Sequence, residues 1–379
     1  MFDEVIAFIR SLYGDGKVSL HNPHFCGNEK KYLNECIDST YVSSIGPFVD
    51  RFEHDIAVYT GATSAVVCVN GTNALYMALL LSGVEREDEV VTQPLTFVAT
   101  CNAISYLGAH PVFIDVDDDT LGLSPTKLRS WLTDHADIVG DHCVNRKTGR
   151  RIKACVPMHT FGHPAKIDTI LSVCAEFHIA VVEDAAEAVG SFYRDRHMGT
   201  FAPISALSFN GNKTITTGGG GMLLFHDADR GAYAKHLTTQ AKVPHRWEFV
   251  HDSIGYNYRM PNINAALGCA QLERIGEMLA DKRETANAYR LFFASQPEFS
   301  FVAEPDNAHS NYWLNAVLLP DASSRDAFLS ATNDVGIATR PAWELMNRLP
   351  MFSTCECGDL IAAEDIAARL VNLPSGVRL

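Results

Sequence analysis

The chain has 379 residues, 47% of them hydrophobic, and a formal net charge of −14. That length supports a large core and two domains, while the negative balance argues against nucleic acid as a partner, because phosphate binding needs a basic surface. No apolar run reaches the length of a membrane span, Asp3 and Glu4 do not suit a signal-peptide n-region, and ten cysteines without paired spacing fit a reducing cytoplasm.

Apolar runs of strand length fall at 65–69, 89–93, 111–115, 153–158, 179–183, 205–209 and 222–226. They are rich in Val and Ile with little alternation, as expected of strands covered on both faces. Helical segments are predicted at 72–82, 96–107, 124–132 and 167–177. Ser124 and Pro125 give the third of these an N-cap and a proline at N1. This βαβ succession spans roughly residues 40 to 245 and implies a mostly parallel sheet in three layers. Residues 262–295 then read as one long helical stretch, followed by strands at 313–319 and 336–339 and helices at 325–334 and 362–370. The expected organisation is an N-terminal arm (1–40), a large α/β domain (41–250) and a smaller C-terminal α+β domain (251–379) joined by the arm.

Ligands of open α/β sheets bind at the carboxyl ends of strands, so those positions carry the candidate chemistry. After the first strand, Asn70-Gly71-Thr72 opens a helix, and its backbone N–H groups and the Thr72 hydroxyl suit an anion. An ordinary N-cap would look the same. Thr96-Phe97-Val98-Ala99-Thr100 follows the second strand, and Phe97 is either core or a ring that stacks on a flat cofactor. His159 and His163 follow the fourth strand. Gly162 and Pro164 break any helix there, so a zinc pair on one helix face is not expected; the two histidines are expected to line a substrate pocket or support a cofactor. Cys355 and Cys357 have no second pair to complete a metal site, and no metal is predicted.

Asp184 ends the fifth strand, with Glu183 before it and Glu187 a turn later. A buried acid needs a positive partner; Asp184 could cap the next helix or pair with a protonated ring nitrogen. Lys213 follows the sixth strand and precedes the glycine run Gly218 to Gly221. Most lysines are exposed, but one at a buried strand end can hold an amine for bonding to an aldehyde. An anion cradle, an acid for a ring nitrogen and a lysine together suit pyridoxal 5′-phosphate (PLP), whose ring is an electron sink.

These motifs resemble the DegT/DnrJ/EryC1/StrS sugar aminotransferases, PLP-dependent transferases of fold type I. The resemblance runs from Val42-Ser43-Ser44-Ile45-Gly46-Pro47 through Gly71-Thr72-Asn73-Ala74-Leu75, Glu183-Asp184-Ala185-Ala186-Glu187 and Ser208 to Lys213, and ends at Gly255-Tyr256-Asn257-Tyr258-Arg259-Met260. Asn22-Pro23-His24-Phe25-Cys26-Gly27-Asn28-Glu29 and Gln93-Pro94-Leu95-Thr96-Phe97 are similar to a narrower, LegC-like branch.

The resemblance implies a seven-stranded sheet and a set of roles. Lys213 bonds the cofactor aldehyde and moves protons. Asp184 pairs with the ring nitrogen, and Phe97 covers the ring. Gly71, Thr72 and Ser208 hold the phosphate. Glu187 lies near the ring's phenolic oxygen, where relatives often carry Gln or His. Asn257, toward the phosphate, and Arg259 reach the site from the other subunit of a homodimer. His159, His163, Arg259 and Arg340 are the expected substrate contacts. Many relatives carry a histidine after the Arg-Pro segment, whereas Arg340-Pro341-Ala342-Trp343-Glu344-Leu345-Met346 has none.

The implied reaction moves an amino group from L-glutamate to the 4-keto carbon of a nucleotide-linked 4-keto-6-deoxy-N-acetylhexosamine. A UDP-linked sugar is favoured, for bacillosamine or legionaminic-type products, with GDP-linked or 3-keto sugars as the alternative. A nucleotide hydrolase is a more distant reading. Gly211-Asn212-Lys213-Thr214 has the lysine and threonine of a P-loop but lacks its glycines at the required spacing.

Overall fold

The computed structural model describes residues 2–379. Its centre is a seven-stranded sheet in the spatial order Ser64–Cys68, Gly221–Phe225, Ile204–Ser208, Ala180–Asp184, Ile152–Val156, Glu89–Thr92, His110–Phe113. Gly221–Phe225 runs antiparallel to both its neighbours, and the other pairings are parallel. Nearly every residue of these strands is buried. That burial is the physical reason the runs lack alternation. Helices cover both faces and the fold is α/β, as expected.

One core cluster contains Val67, Leu207 and Met222 with Phe52, Ala265 and Cys269 from helices Pro47–Thr60 and Asn262–Leu272. The opposite face packs Val66, Ala206 and Leu223 against helices Gly71–Leu81 and Ala228–Thr238.

A four-stranded antiparallel sheet follows, ordered Ser300–Phe301, Asn315–Leu318, Leu370–Leu373, Arg340–Pro341. Val5 and Ile9 of the first helix, Asp3–Tyr13, pack into its core with Tyr289, Phe328 and Val371. Thus the N-terminal segment seals the C-terminal sheet.

Two expected elements differ. The stretch 262–295 is two helices, Asn262–Leu272 and Ile275–Phe293. Between them Glu273 accepts hydrogen bonds from Asn28, Tyr32 and Arg51, and Arg274 leaves helical geometry at φ −111° and ψ 4°. The second helix bridges both cores: Ile275 and Met278 face the large sheet, Tyr289 and Phe293 the small one. The change of core therefore falls inside this helix rather than at residue 250. The strand expected at 336–339 begins later, at Arg340, because Gly336 closes the preceding helix with φ +81° and Ile337 pairs with Val18 instead. No helix of the described residues is long and apolar enough to cross a membrane.

Candidate active site

A cavity of about 410 Å³ opens at the carboxyl ends of the central strands, with Gly71, Thr72, Phe97, Asp184, Glu187, Ser208 and Lys213 in its wall. Seven of the residues singled out from sequence meet in this one space.

At one end lies the turn into helix Gly71–Leu81. Asn70 is extended, and its side-chain oxygen accepts from the Asn73 N–H at 2.8 Å. The N–H groups of Gly71 and Thr72 precede the first intrahelical bonds and remain donors toward the cavity end. Glycine is required at both contacts made by this turn. A Cβ on Gly71 would meet the Ser208 Cβ at 2.9 Å, and one on Gly221 would meet the Asn70 carbonyl oxygen at 2.4 Å. The close approach brings the Ser208 hydroxyl beside the turn and leaves a cradle for a small anion.

Asp184 is the last residue of its strand and is almost wholly buried. Its Oδ2 accepts from the Thr100 hydroxyl at 2.8 Å, and its Oδ1 from the Ala186 N–H at 3.2 Å. Burial raises its pKa above the ordinary carboxylate value, opposed by those hydrogen bonds and by the nearby charge of Lys213. Thr100 has one hydroxyl proton and gives it to Asp184, and its oxygen also lies 2.8 Å from the Thr96 hydroxyl. An ionised Asp184 held in this way is suited to a protonated ring nitrogen, which would offset its desolvation.

Lys213 has a side chain only 12% exposed, with Nζ 3.1 Å from Oε1 of the buried Glu187. The other oxygen of Glu187 accepts from the Phe161 N–H at 2.9 Å. Phe161 has φ +57°, a conformation uncommon for a non-glycine residue, and this turn presents its N–H to Glu187. Burial pushes the Glu187 pKa up to about 7, against the opposing pull of Lys213. Phe97 keeps an open ring face at 49% exposure, so its side chain is not core. No helix begins after Lys213, which removes the geometry a P-loop needs.

Five expected contacts lie elsewhere. His159 is fully buried and lines no part of the cavity. Its Nδ1 accepts from the Ala165 N–H at 3.2 Å, so Nε2 carries the proton and donates to Glu183 at 3.2 Å. Glu183 also accepts from the N–H groups of Gly199, Phe201 and Ala202. His159 is thus a support beneath the strand ends, not a substrate contact. His163 is fully buried as well, with its ring edge-on to Tyr312 at 5.2 Å. Both histidines flank the left-handed residue Phe161 and point into the interior. Asn257 and Arg259 also lie outside the cavity; Asn257 is exposed and accepts from Arg259 at 3.3 Å. Arg340 lines a neighbouring cavity of about 340 Å³ that shares Asn212, Trp313 and Trp343 with the main one.

Sequence reasoning missed Thr100, Trp313 and Trp343. Thr100 carried a signal, since it lies three residues after Phe97 and four after Thr96 in the helix predicted at 96–107, although the helix itself begins at Val98. Trp343 stands in the Arg340–Met346 segment, where the sequence resemblance leads to the expectation of a histidine. Trp313 had no local signal, because only the tertiary fold brings it under Lys213.

An anion cradle, a buried carboxylate, a recessed lysine and an open aromatic face are the donor set that PLP requires, and the residues fit it. The DegT/DnrJ/EryC1/StrS aminotransferase family model matches residues 25–379. The chain is 37% identical over 358 residues to GDP-perosamine synthase of Escherichia coli O157:H7, covering 94% of this chain and 93% of that one. It is 36% identical over 364 residues to GDP-perosamine synthase of Caulobacter vibrioides, covering 95% and 93%. Among solved structures it resembles the aminotransferase TlmJ of Streptoalloteichus hindustanus, with a TM-score of 0.86, 29% identity and coverage of 95% and 94%. The chain belongs to the DegT/DnrJ/EryC1/StrS aminotransferase family and is a PLP-dependent sugar aminotransferase.

Proposed function

We propose that this enzyme transfers the amino group of L-glutamate to the C4 keto carbon of a nucleotide-linked keto-sugar, with a GDP-linked sugar ahead of a UDP-linked one. The observation that carries the chemistry is the convergence of Lys213, Asp184 and the Gly71–Thr72–Ser208 cradle on one cavity. The preference for GDP rests on the two relatives named GDP-perosamine synthases and replaces the UDP preference drawn from the narrower sequence resemblance.

Bound PLP would supply an aldehyde for amines and a ring that accepts the electron pair released when a C–H bond breaks. Gly71, Thr72 and Ser208 would hold its phosphate. Asp184, whose carboxylate form is favoured by the hydrogen bonds from Thr100 and Ala186, would hold a proton on the ring nitrogen. The Nζ of Lys213 would take the proton from Cα of glutamate and, in the second half-reaction, deliver one to C4 of the sugar. Glu187 stands 3.1 Å from that amine and offers a carboxylate when the lysine carries the proton. Phe97, Trp313 and Trp343 would shield the reacting atoms from water.

Asn257 and Arg259, which the cavity of this chain does not use, are assigned to the site of a second copy in a homodimer. We divide the chain into an arm, a PLP-binding domain and a small C-terminal domain, and place the enzyme in the cytoplasm. Incubation with PLP, L-glutamate and GDP- or UDP-linked 4-keto-6-deoxyhexoses, read by mass spectrometry, tests the substrate. A gain of an amino group on the GDP-linked sugar alone supports the reading, and conversion of the UDP-linked sugar alone overturns the nucleotide preference.

A further inference from the structure

Trp313 belongs to the segment leading into strand Asn315–Leu318 of the small sheet, far in sequence from the strand ends that form the cavity. Lys213 Nζ lies 4.0 Å from the centroid of its indole ring. The indole Nε1–H donates to the carbonyl of Asn212, the residue just before Lys213, at 2.6 Å. One side chain therefore holds both the backbone leading into the lysine and the amine at its tip.

Trp313 is itself tightly fixed. Its N–H donates to Oδ1 of the buried Asn311 at 2.7 Å. Asn311 Nδ2 donates to the carbonyls of Glu187 and Val189, each at 2.8 Å. The Trp313 carbonyl accepts from the buried amine of Lys282 at 3.2 Å, and that amine also donates to the Ser375 carbonyl at 2.7 Å. Lys282 lies on helix Ile275–Phe293, which spans both cores. The ring is thereby tied to the large sheet, the small sheet and the helix between them.

We infer that Trp313 is a positioning residue: it sets the place of the Lys213 amine and favours its ammonium form by presenting the electron-rich indole face beneath it. The face of an aromatic ring attracts a cation electrostatically, and the attraction strengthens when water is excluded. Other charged groups act on the same amine. Glu187 touches it at 3.1 Å, Asp184 faces the same cavity, His21 has its ring 6.5 Å from the Trp313 ring, and Lys282 hydrogen-bonds both His21 and the Trp313 carbonyl. Trp313 differs from these in holding the amine by a neutral surface that remains when Glu187 is protonated. The inference rests on the reading that Lys213 is the reacting amine, but its test does not need turnover.

The test uses cofactor-free full-length protein labelled with trace acetic anhydride at one fixed pH, with the rate at the Lys213 peptide followed by mass spectrometry. Only the neutral amine reacts. Replacing Trp313 site-specifically by tetrafluorotryptophan preserves shape and the N–H while depleting the ring face; labelling at Lys213 should speed up by about 3- to 10-fold. W313L should give at least that increase, and W313F, which keeps an aromatic face, should stay nearer the native rate. An unchanged rate in the fluorinated protein would overturn the inference. Equal acceleration in W313F and W313L would also overturn it, because the N–H contact or packing would then be responsible rather than the face. The fluorinated protein keeps the test valid if W313L does not fold. Failure of the aminotransferase reading would be seen separately, as absence of turnover in the native enzyme.

Discussion

The amine of Lys213 lies 3.1 Å from Oε1 of Glu187, a carboxyl group that burial has raised to about 7. The lysine proposed to give and take protons is thus paired with an acid whose own charge changes near neutrality. The folded Glu187 holds its proton up to a higher pH than the unfolded chain does, where a glutamate titrates near 4.5. Between those two values the folded state binds more protons, so this group's contribution to stability falls as pH rises. In cofactor-free protein, the stability of Glu187→Gln relative to the native chain should therefore improve from pH 5 to pH 8, by roughly 3 kcal/mol as an order of magnitude. Thermal melts of both proteins across that range check the sign. A difference independent of pH would mean that Glu187 does not titrate there.

Asp184 and Thr100 should separate cleanly. Asp184→Asn removes the carboxylate proposed for the ring nitrogen and should cut turnover by two orders of magnitude or more, in line with ~3–5 kcal/mol for breaking a buried charge pair. Thr100→Val removes one hydrogen bond to that carboxylate, worth ~1.5–3 kcal/mol, and should cost roughly ten- to a hundredfold. Thr100→Ser should recover most of the loss. Steady-state rates measure the order, and a Thr100→Val enzyme with native activity would leave Asp184 without the support assigned to it.

Gly71→Ala places a methyl group 2.9 Å from the Ser208 Cβ. Overpacking of this kind costs ~1–3 kcal/mol, and here it would press on the phosphate cradle. Cofactor affinity, measured by equilibrium dialysis, should fall about tenfold or more with the far-ultraviolet dichroism unchanged. Unaltered affinity would place the phosphate elsewhere.

A shared site is tested with mixed dimers. Asn257→Ala and Lys213→Ala should each be weak or inactive alone. If Asn257 serves the neighbouring site, co-refolded chains should regain up to about a quarter of native activity, because random assortment makes about half the dimers mixed and each mixed dimer has one intact site. No recovery would place Asn257 in its own chain's function.

The central chemistry was legible because Gly71, Asp184 and Lys213 stand at the ends of apolar strands buried on both faces. The topology then forces those ends together. His159 and His163 stand at a strand end too, but they flank the left-handed residue Phe161 and are buried, His159 against Glu183 and the Ala165 N–H, partners that no local pattern announced. The break after Leu272 was hidden for a related reason. The residues there are adequate helix formers, and it is Asn28, Tyr32 and Arg51, more than 200 positions away, that hold Glu273. Trp313 is similar: its partners Asn212 and Lys282 come from distant parts of the chain. Local sequence carries strand ends and glycine turns well, and long-range polar ties poorly.

The most direct measurement is chemical capture of the lysine. The protein is loaded with PLP, reduced with borohydride to lock the cofactor onto whichever amine it has bonded, digested and sequenced by mass spectrometry. A phosphopyridoxyl group is expected on the peptide containing Lys213 and none in Lys213→Ala. Labelling of Lys282 or another lysine in the native protein, or no label at all, would contradict it.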